Sequence, residues 1–228
     1  LYVKVLPNME VPIKHHAKIT DLVRRVTRKE IEFPNTILSE GSWPSLLYHA
    51  YQRMKGALEE KGLKVPKVTD RDTSKAMLKL GGNPNQILGD FTGLRSTVKK
   101  GQFRMVDNAS ISLLHNASEV KRTLLESSRV LGPEGLLELT IDDKVFHDGS
   151  PQSEEEVGGK RVRRDFYLGL EQLGFKVLSG KNEGFSVSRQ YLDKLRKEKG
   201  AHYAESFERK LDKTRYLLAQ KIDEPASN

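Results

Sequence analysis

The chain has 228 residues, a net charge of +8 and no cysteine, so disulfides, thiolate zinc sites and a cysteine nucleophile are excluded. No apolar run approaches the ~20 residues of a membrane-spanning helix, and the length predicts one sizeable α/β domain with appendages. The basic balance favours polyanionic partners such as RNA, DNA or an acidic protein face, although solubility alone also explains it.

Residues 1–32 form a basic leader. Leu22, Val23 and Val26 form a short apolar stripe at helical spacing from Ile19 onward. The basic residues around this stripe are Lys14, His15, His16, Lys18, Arg24, Arg25, Arg28 and Lys29. Two interpretations stay open: an arm that binds polyanions, or a surface helix that packs its stripe on the main domain and leaves its charges in water.

A helix is predicted over 46–61, with Gly62 at its end. Further on, the chain predicts a strand–helix–strand unit. The first strand is the mostly apolar run from Phe103 to Asn108, the helix covers 117–131, and the second strand covers 136–140. Units of this kind build parallel sheets, so the two strands are expected to be adjacent or nearly so.

The helix of this unit has recognisable start and stop signals. Asn116 and Glu119 have the spacing of a capping box, in which the side chain of each residue satisfies a free backbone N–H group of the first turn. Leu124 lies on the apolar face. Past the end, Gly132 is predicted to take the left-handed conformation, and Pro133 prevents the helix from continuing.

The C-terminal part begins with basic residues at 161–164, followed by a helix over 166–173. Residues 175–178 and 185–188 are predicted to pair as a hairpin. Residues 191–222 are predicted to form one or two charged helices. These helices either bind RNA or a protein partner, or form a solvated amphipathic surface with ion pairs between successive turns.

In order and spacing, residues 103–140 resemble the second half of a class I S-adenosylmethionine (SAM)-dependent methyltransferase. The match lies in Phe103 at the strand start, His115 in the following loop, and Arg129 with its neighbours at the helix end. The resemblance extends over 33–188. It implies an α/β, Rossmann-like fold with a seven-stranded, mainly parallel sheet and an antiparallel edge hairpin. Residues 1–32 and 189–228 then become a basic N-terminal arm and a charged C-terminal helical extension.

The resemblance also locates the family's first motif, a strand that ends in an acidic residue and a glycine-rich turn. Gly41 matches one of the glycines, and Glu40 lies one place from the expected acid. Ser39 occupies the position of that acid, while Trp43 and Ser45 occupy glycine positions. Glycines there let the backbone approach the cofactor, so the turn is expected to change shape and the indole to fill the methionine pocket.

Four further residues complete the cofactor-binding set that the resemblance implies. Asp72, at the end of the second strand, would hold the ribose hydroxyls; alternatively Asp72 or Thr73 is only the N-cap of the next helix. Asp90 and Phe91 would face the adenine, and Asp107 is the last member. No catalytic residue is assigned, and the histidines do not have the spacing of a metal site.

Two functions remain open from the sequence. The first is a methyltransferase with SAM as cofactor that acts on RNA or an RNA-associated substrate. The second is a catalytically inactive methyltransferase-fold protein that serves as a binding or assembly module. Either version is expected to be a soluble intracellular protein without a membrane segment, and the N-terminus before Leu1 is expected to be missing or processed.

Overall fold

The computed structural model describes residues 10–41, 45–92, 97–108, 117–142, 170–178, 189–212 and 214–222. The strands are β1 (Thr36–Glu40), β2 (Lys67–Asp72), β3 (Gln86–Leu88), β4 (Phe103–Asn108), β5 (Leu131–Asp142), β6 (Phe175–Val177) and β7 (Thr214–Lys221). The helices are α1 (Glu10–Thr27), α2 (Leu46–Arg53), α3 (Lys55–Glu59), α4 (Lys75–Gly81), α5 (Ala117–Val130), α6 (Arg189–Lys199) and α7 (Ala201–Asp212).

The described strands form one seven-stranded sheet in the order β3-β2-β1-β4-β5-β7-β6. The pairs from β3 to β5 are parallel, whereas β7 runs antiparallel to both β5 and β6. This arrangement confirms the predicted mainly parallel, Rossmann-like sheet with an antiparallel pair at one edge. None of the described helices is long and apolar enough to cross a membrane.

The strand–helix–strand unit predicted over 103–140 is confirmed. β4 and β5 are adjacent parallel strands, and α5 connects them. β5 begins at Leu131, directly after α5 and earlier than predicted, and its register against β4 shifts near its start. The capping residue Asn116 lies outside the described residues.

The prediction of a left-handed residue at Gly132 is wrong. The chain enters the sheet directly after α5, and the positive φ falls instead at Glu134, where it is 52°. Gly135 is required by close packing, because a Cβ at this position would lie 2.9 Å from the carbonyl oxygen of Gly132. The segment that was expected to be a turn is therefore an irregular start of β5.

Two apolar cores cover the two faces of the sheet. One core joins Ile19 and Leu22 of α1 and Tyr51 of α2 to Ile37 and other residues of the strands. The other core joins Leu124 of α5 to the strand residues that point the opposite way, because successive residues of a strand alternate between faces. α1 thus packs its apolar stripe on the sheet, as the second interpretation of the N-terminal leader expected, but Lys18 and Arg25 are buried and do not lie in water as that interpretation also expected.

The helical prediction for residues 191–222 is only partly correct. α6 and α7 are helical, but residues 214–221 form β7, which lies between β5 and β6. The strand at 175–177 therefore pairs with β7, and not with 185–188 as predicted. Residues 185–188 and the basic residues at 161–164 lie outside the described residues.

Candidate functional site

The order of the strands locates the candidate site. From β1 the chain moves outward to β2 and β3, and then returns to the other side of β1 to form β4. In open α/β sheets, ligands bind beyond the carboxyl ends of the strands at such a reversal. We call this place the crevice; the described residues beside it are the ends of β1, β2 and β4.

Four polar side chains lie side by side on the α1 face of the sheet near these ends. Asp70 of β2 is in register with Ser39 of β1, which is in register with Asp107 of β4. Asp107 is in turn in register with Glu138 of β5. All four residues are buried, and we call them the acidic row.

Lys18 of α1 neutralises part of the acidic row. Its Nζ lies 2.8 Å from Asp107 Oδ1 and 2.5 Å from Glu138 Oε1. The side chains of the three residues are at most 1% exposed. Because an isolated charge is costly to bury, these contacts are the reason that the three ionisable groups can lie inside the protein. We call Lys18, Asp107 and Glu138 the Lys18 cluster.

The three groups of the Lys18 cluster have different protonation preferences. Burial raises the pKa of Glu138 to about 8, because burial and the charge of Asp107 together outweigh the attraction of Lys18. Burial also acts to raise the pKa of Asp107, but the charges of Lys18 and His15 hold it below its ordinary value. The pKa of Lys18 is raised because the two carboxyl groups overcome the effect of burial. The favoured state has one protonated carboxyl group, one carboxylate and one ammonium group.

A second polar cluster occupies the opposite face, toward α5. Arg71 of β2 donates a hydrogen bond to Glu40 of β1, and its Nη1 lies 3.0 Å from Glu126 Oε1 of α5. Asn108 Nδ2 donates to Glu40 Oε2 at 2.8 Å. Arg129 Nε donates to Glu126 Oε2 at 2.7 Å. We call these five residues the Arg71 cluster; burial raises the pKa of Glu40 to about 7 although Arg71 and Asn108 act to lower it.

Asp72 differs from these buried acids because it is only half-buried. The N–H group of Ser74 donates to Asp72 Oδ1 at 2.7 Å, which orients the carboxylate. Within the described residues, Asp72 Oδ2 accepts no hydrogen bond. The N-cap of α4 is Ser74, whose Oγ accepts from the N–H of Met77 at 3.3 Å, so the alternative role of Asp72 as N-cap is wrong.

In the turn after β1, residues 42–44, including Trp43, lie outside the described residues. The residues on both sides of this gap are left-handed. Gly41 has φ 64°, and Ser45 has φ 57° and ψ 30°. Ser45 Oγ donates a hydrogen bond to Asp70 Oδ2 and is buried. The serine at a predicted glycine position therefore keeps a positive φ, and the bond to Asp70 offers a compensation for the strain of its Cβ.

Asp90 and Phe91 follow β3 at the outer end of the crevice, and both are half-buried. Both carboxylate oxygens of Asp90 accept from Thr92, one of them from its N–H group at 2.9 Å. The predicted roles of these residues toward an adenine stay predictions. In the described part of the chain, no three His, Asp or Glu side chains are grouped as a metal site requires.

The structure thus divides the predicted cofactor residues into two groups. Gly41, Asp72 and the pair after β3 are partly accessible, whereas Glu40 and Asp107 are buried in separate clusters. Sequence reasoning missed the partners in these clusters, Arg71 and Lys18. The only available signal was an arginine between two aspartates at the end of a predicted strand, since Lys18 looks like any other member of the basic leader.

Comparisons with known proteins agree with this fold. No protein-family model and no curated protein matches the chain. A candidate methyltransferase of Haloferax volcanii, solved in complex with the methyltransferase activator Trm112, is similar with a TM-score of 0.55 and 14% identity, over 94% of this chain and 91% of that chain. A SAM-dependent methyltransferase of Aquifex aeolicus is similar with a TM-score of 0.51 and 15% identity, over 89% and 90% of the two chains.

A third solved structure shows how far this likeness extends. The [4+2]-cyclase SpnF is similar with a TM-score of 0.52 and 18% identity, over 90% of this chain and 81% of that chain. The chain therefore has the fold of class I SAM-dependent methyltransferases. Because a fold can carry different reactions, the chemistry has to be argued from the site.

Proposed function

We propose that this protein is a SAM-dependent methyltransferase that binds its cofactor in the crevice at the ends of β1 and β2. The observation that carries the proposal is Asp72. It is a half-buried carboxylate at the end of a parallel strand next to β1, oriented by Ser74, with Oδ2 accepting no hydrogen bond from the described residues. A carboxylate in this place suits the two hydroxyls of a ribose.

The described residues fit the adenosyl half of SAM. The left-handed Gly41 ends β1, and its N–H group lies 3.4 Å from the carbonyl oxygen of Arg71. A residue without a Cβ at this point lets the backbone approach a ligand. Phe91 adds a half-buried aromatic ring beyond β3. The buried Glu40 and Asp107 are assigned to the support of the strand ends and not to direct contact with the cofactor.

SAM supplies a methyl group on a sulfonium centre when it is bound. The contribution of the chain is then mainly to bind and orient, since holding two reactants in line removes most of the entropic cost of their encounter. The Arg71 cluster and the Lys18 cluster give the strand ends a rigid base on both faces. A general base is not required for such a transfer, and we assign none.

Calorimetry with SAM, S-adenosylhomocysteine and adenosine tests the proposal. Asp72→Asn is expected to weaken the binding of all three ligands about tenfold or more, because an amide replaces one acceptor of the ribose hydroxyls. The matched control is Asp193→Asn, which changes an exposed carboxylate of α6. Equal affinities for wild type and Asp72→Asn would remove the ribose role and, with it, the argument for this site.

The proposed methyl acceptor lies on RNA or on an RNA-associated molecule. The support is the net charge of +8. Lys18 and Arg25 of α1 are not part of this support, because they are buried in internal ion pairs and are not available to a polyanion. Arg28 on the same leader is exposed, with its guanidinium 3.9 Å from the carboxylate of Glu30. We expect Arg28→Glu, combined with Arg161→Glu and Arg163→Glu, to weaken RNA binding and to reduce its salt dependence.

The control for this experiment is Lys55→Glu combined with Lys61→Glu and Lys64→Glu, which likewise reverses three exposed charges near α3. Binding that falls equally in both variants would point to net charge alone. If wild type binds no RNA at low salt, RNA is the wrong acceptor class.

A protein that binds without transferring a methyl group is the second candidate. The Arg71 cluster favours it, because Arg71 and Asn108 already occupy the carboxylate of Glu40 beside the glycine turn. On this alternative, SAM binds with a dissociation constant of about 1 mM or worse, and adenosine binds with a similar dissociation constant. Restoration of SAM binding by Trp43→Gly with Ser45→Gly would support a pocket filled by the indole, and micromolar binding by wild type would end the alternative.

A protein partner at the C-terminal helices α6 and α7 is also a proposal. One structural neighbour is a candidate methyltransferase in complex with an activator, which supports a search for such a partner. The division into an arm at 1–32, a domain at 33–188 and an extension at 189–228 is kept as a proposal as well. The arm contributes α1 to the packed core, and the extension contributes β7.

A further inference from the structure

The connection between α1 and the crevice passes through the last two residues of β4. Asp107 points to the α1 face and contacts Lys18 at 2.8 Å. Asn108 points to the opposite face and contacts Glu40, the residue before Gly41, at 2.8 Å. Because the two residues are consecutive, we expect a movement of Asp107 to shift Asn108, whose amide supports Glu40 before the turn after β1.

The Lys18 cluster and its buried neighbours contain more polar atoms than their own contacts satisfy. Ser39 Oγ, Tyr51 Oη and Asp107 Oδ2 are buried and have no hydrogen-bond partner among the described residues. Ser39 is the register neighbour of Asp107, and Tyr51 stands on α2, close enough for its pKa to be raised by burial and by the two acids. A cluster with such unsatisfied groups is sensitive to any change of charge.

We propose that the Lys18 cluster is a proton-linked latch: it holds α1 on the sheet while Glu138 is protonated, and Lys18 is thereby a positioning residue for the end of β4 beside the crevice. The proton linkage stands on the buried geometry of the three groups. The effect on ligand binding rests in addition on the function proposed above.

The direction of the proton linkage follows from the environment of Glu138. Its pKa is raised from an ordinary 4.5 to about 8 while α1 is docked, first because the group is buried and also because ionisation would place a second carboxylate next to Asp107. At pH values between these two pKa values, the docked state therefore binds more protons than the open state, in which α1 has left the sheet. The stability of the docked state falls as the pH rises through this window. The other titratable groups around the cluster are His15 on α1, Tyr51 on α2, Asp70 on β2 and Tyr216 on β7.

Amide hydrogen exchange of α1, corrected for the intrinsic rates, tests the latch between pH 5 and 8. In wild type, the opening constant of the segment around Ile19 and Leu22 is expected to rise up to tenfold per pH unit. In Glu138→Gln this rise is expected to disappear, because the amide keeps its shape and does not titrate. The control Glu32→Gln, at an 82% exposed carboxylate, is expected to keep the wild-type slope.

Two further variants separate the groups of the cluster. His15→Asn is expected to keep the slope; a slope that disappears in His15→Asn but persists in Glu138→Gln would overturn the proposal. Lys18→Met is expected to raise the opening constant of α1 at every pH, since Asp107 loses its counter-ion. If Lys18→Met does not fold, the comparison of wild type with Glu138→Gln still decides the question.

The link to the crevice has a reciprocal test. If ligand binding depends on the latch, SAM at ten times its dissociation constant lowers the opening constant of α1 about elevenfold. Unchanged exchange of α1 with bound SAM would overturn the link to the crevice. If SAM does not bind at all, the proposed function fails, while the pH dependence of exchange still tests the latch itself.

Discussion

Asn108 Nδ2 lies 2.8 Å from Glu40 Oε2 and so links the ends of β4 and β1. These two parallel strands flank the point at which the order of the strands in the sheet reverses. The preceding residue, Asp107, belongs to the Lys18 cluster on the other face. Both faces of the sheet therefore carry a buried polar cluster directly below the crevice. These strand ends are held by paired charges, which makes their stability dependent on complete pairing.

Removal of Arg71 is expected to be strongly destabilising. Arg71→Leu would leave Glu40 as a buried carboxyl group without its counter-ion, and Glu126 with Arg129 alone, at an expected cost of about 3–5 kcal/mol in the free energy of unfolding. Urea denaturation measures the difference. Arg53→Leu, at an exposed arginine of α2, is expected to change stability by only about 0.5 kcal/mol. Similar losses in the two variants would contradict the role of the Arg71 cluster.

The pH dependence of stability is expected to contain a contribution from Glu40. Its folded pKa is raised from 4.5 to about 7, so this contribution is complete below pH 4.5 and is lost as the pH rises through 7. Glu40→Gln is expected to reduce the loss of stability between pH 5 and 7.5 by about 2 kcal/mol. Glu138 causes a further loss of stability as the pH rises, which is present in both wild type and Glu40→Gln. Glu59→Gln, at a 57% exposed carboxylate, is expected to keep the whole slope.

The left-handed Ser45 allows backbone strain to be separated from a hydrogen bond. Ser45→Ala and Ser45→Gly both lose the bond to Asp70, but only alanine retains a Cβ at φ 57°. Ser45→Gly is therefore expected to be more stable than Ser45→Ala by about 1 kcal/mol in thermal or urea unfolding. Glu134→Gly, at a second left-handed residue, is expected to stabilise because no buried bond is lost. An alanine variant as stable as the glycine variant would show that residue 45 is not left-handed.

Leu22 tests whether α1 belongs to the folded core. Leu22 is fully buried, so Leu22→Ala is expected to cost about 2–5 kcal/mol of stability. The matched variant is Leu80→Ala, which shortens a leucine of α4 that is 56% exposed and is expected to cost about 0.5 kcal/mol or less. Equal effects of the two substitutions would mean that the leader is not packed on the sheet as described.

Local signals were sufficient where each element had its own pattern and boundaries. The β4–α5–β5 unit was predictable because an apolar run, a helical apolar face and a Gly-Pro stop follow one another within forty residues. β7 was missed for the opposite reason. Residues 214–221 follow a charged helix, and leucine, alanine, glutamine and lysine among them favour helix. They become a strand because β7 pairs antiparallel with β5 along most of its length and with β6 at its end.

The sequence by itself determined the class of fold and the polar residues that end its strands, since hydrophobic periodicity and turn residues are local properties. Only the tertiary structure decided what those polar residues contact. Lys18 belongs to a basic leader in the sequence, yet it is separated from Asp107 by 89 positions and lies 2.8 Å from it in the fold. Charges that are distant in the chain meet only when the sheet and α1 are assembled, and burial then makes their pairing obligatory.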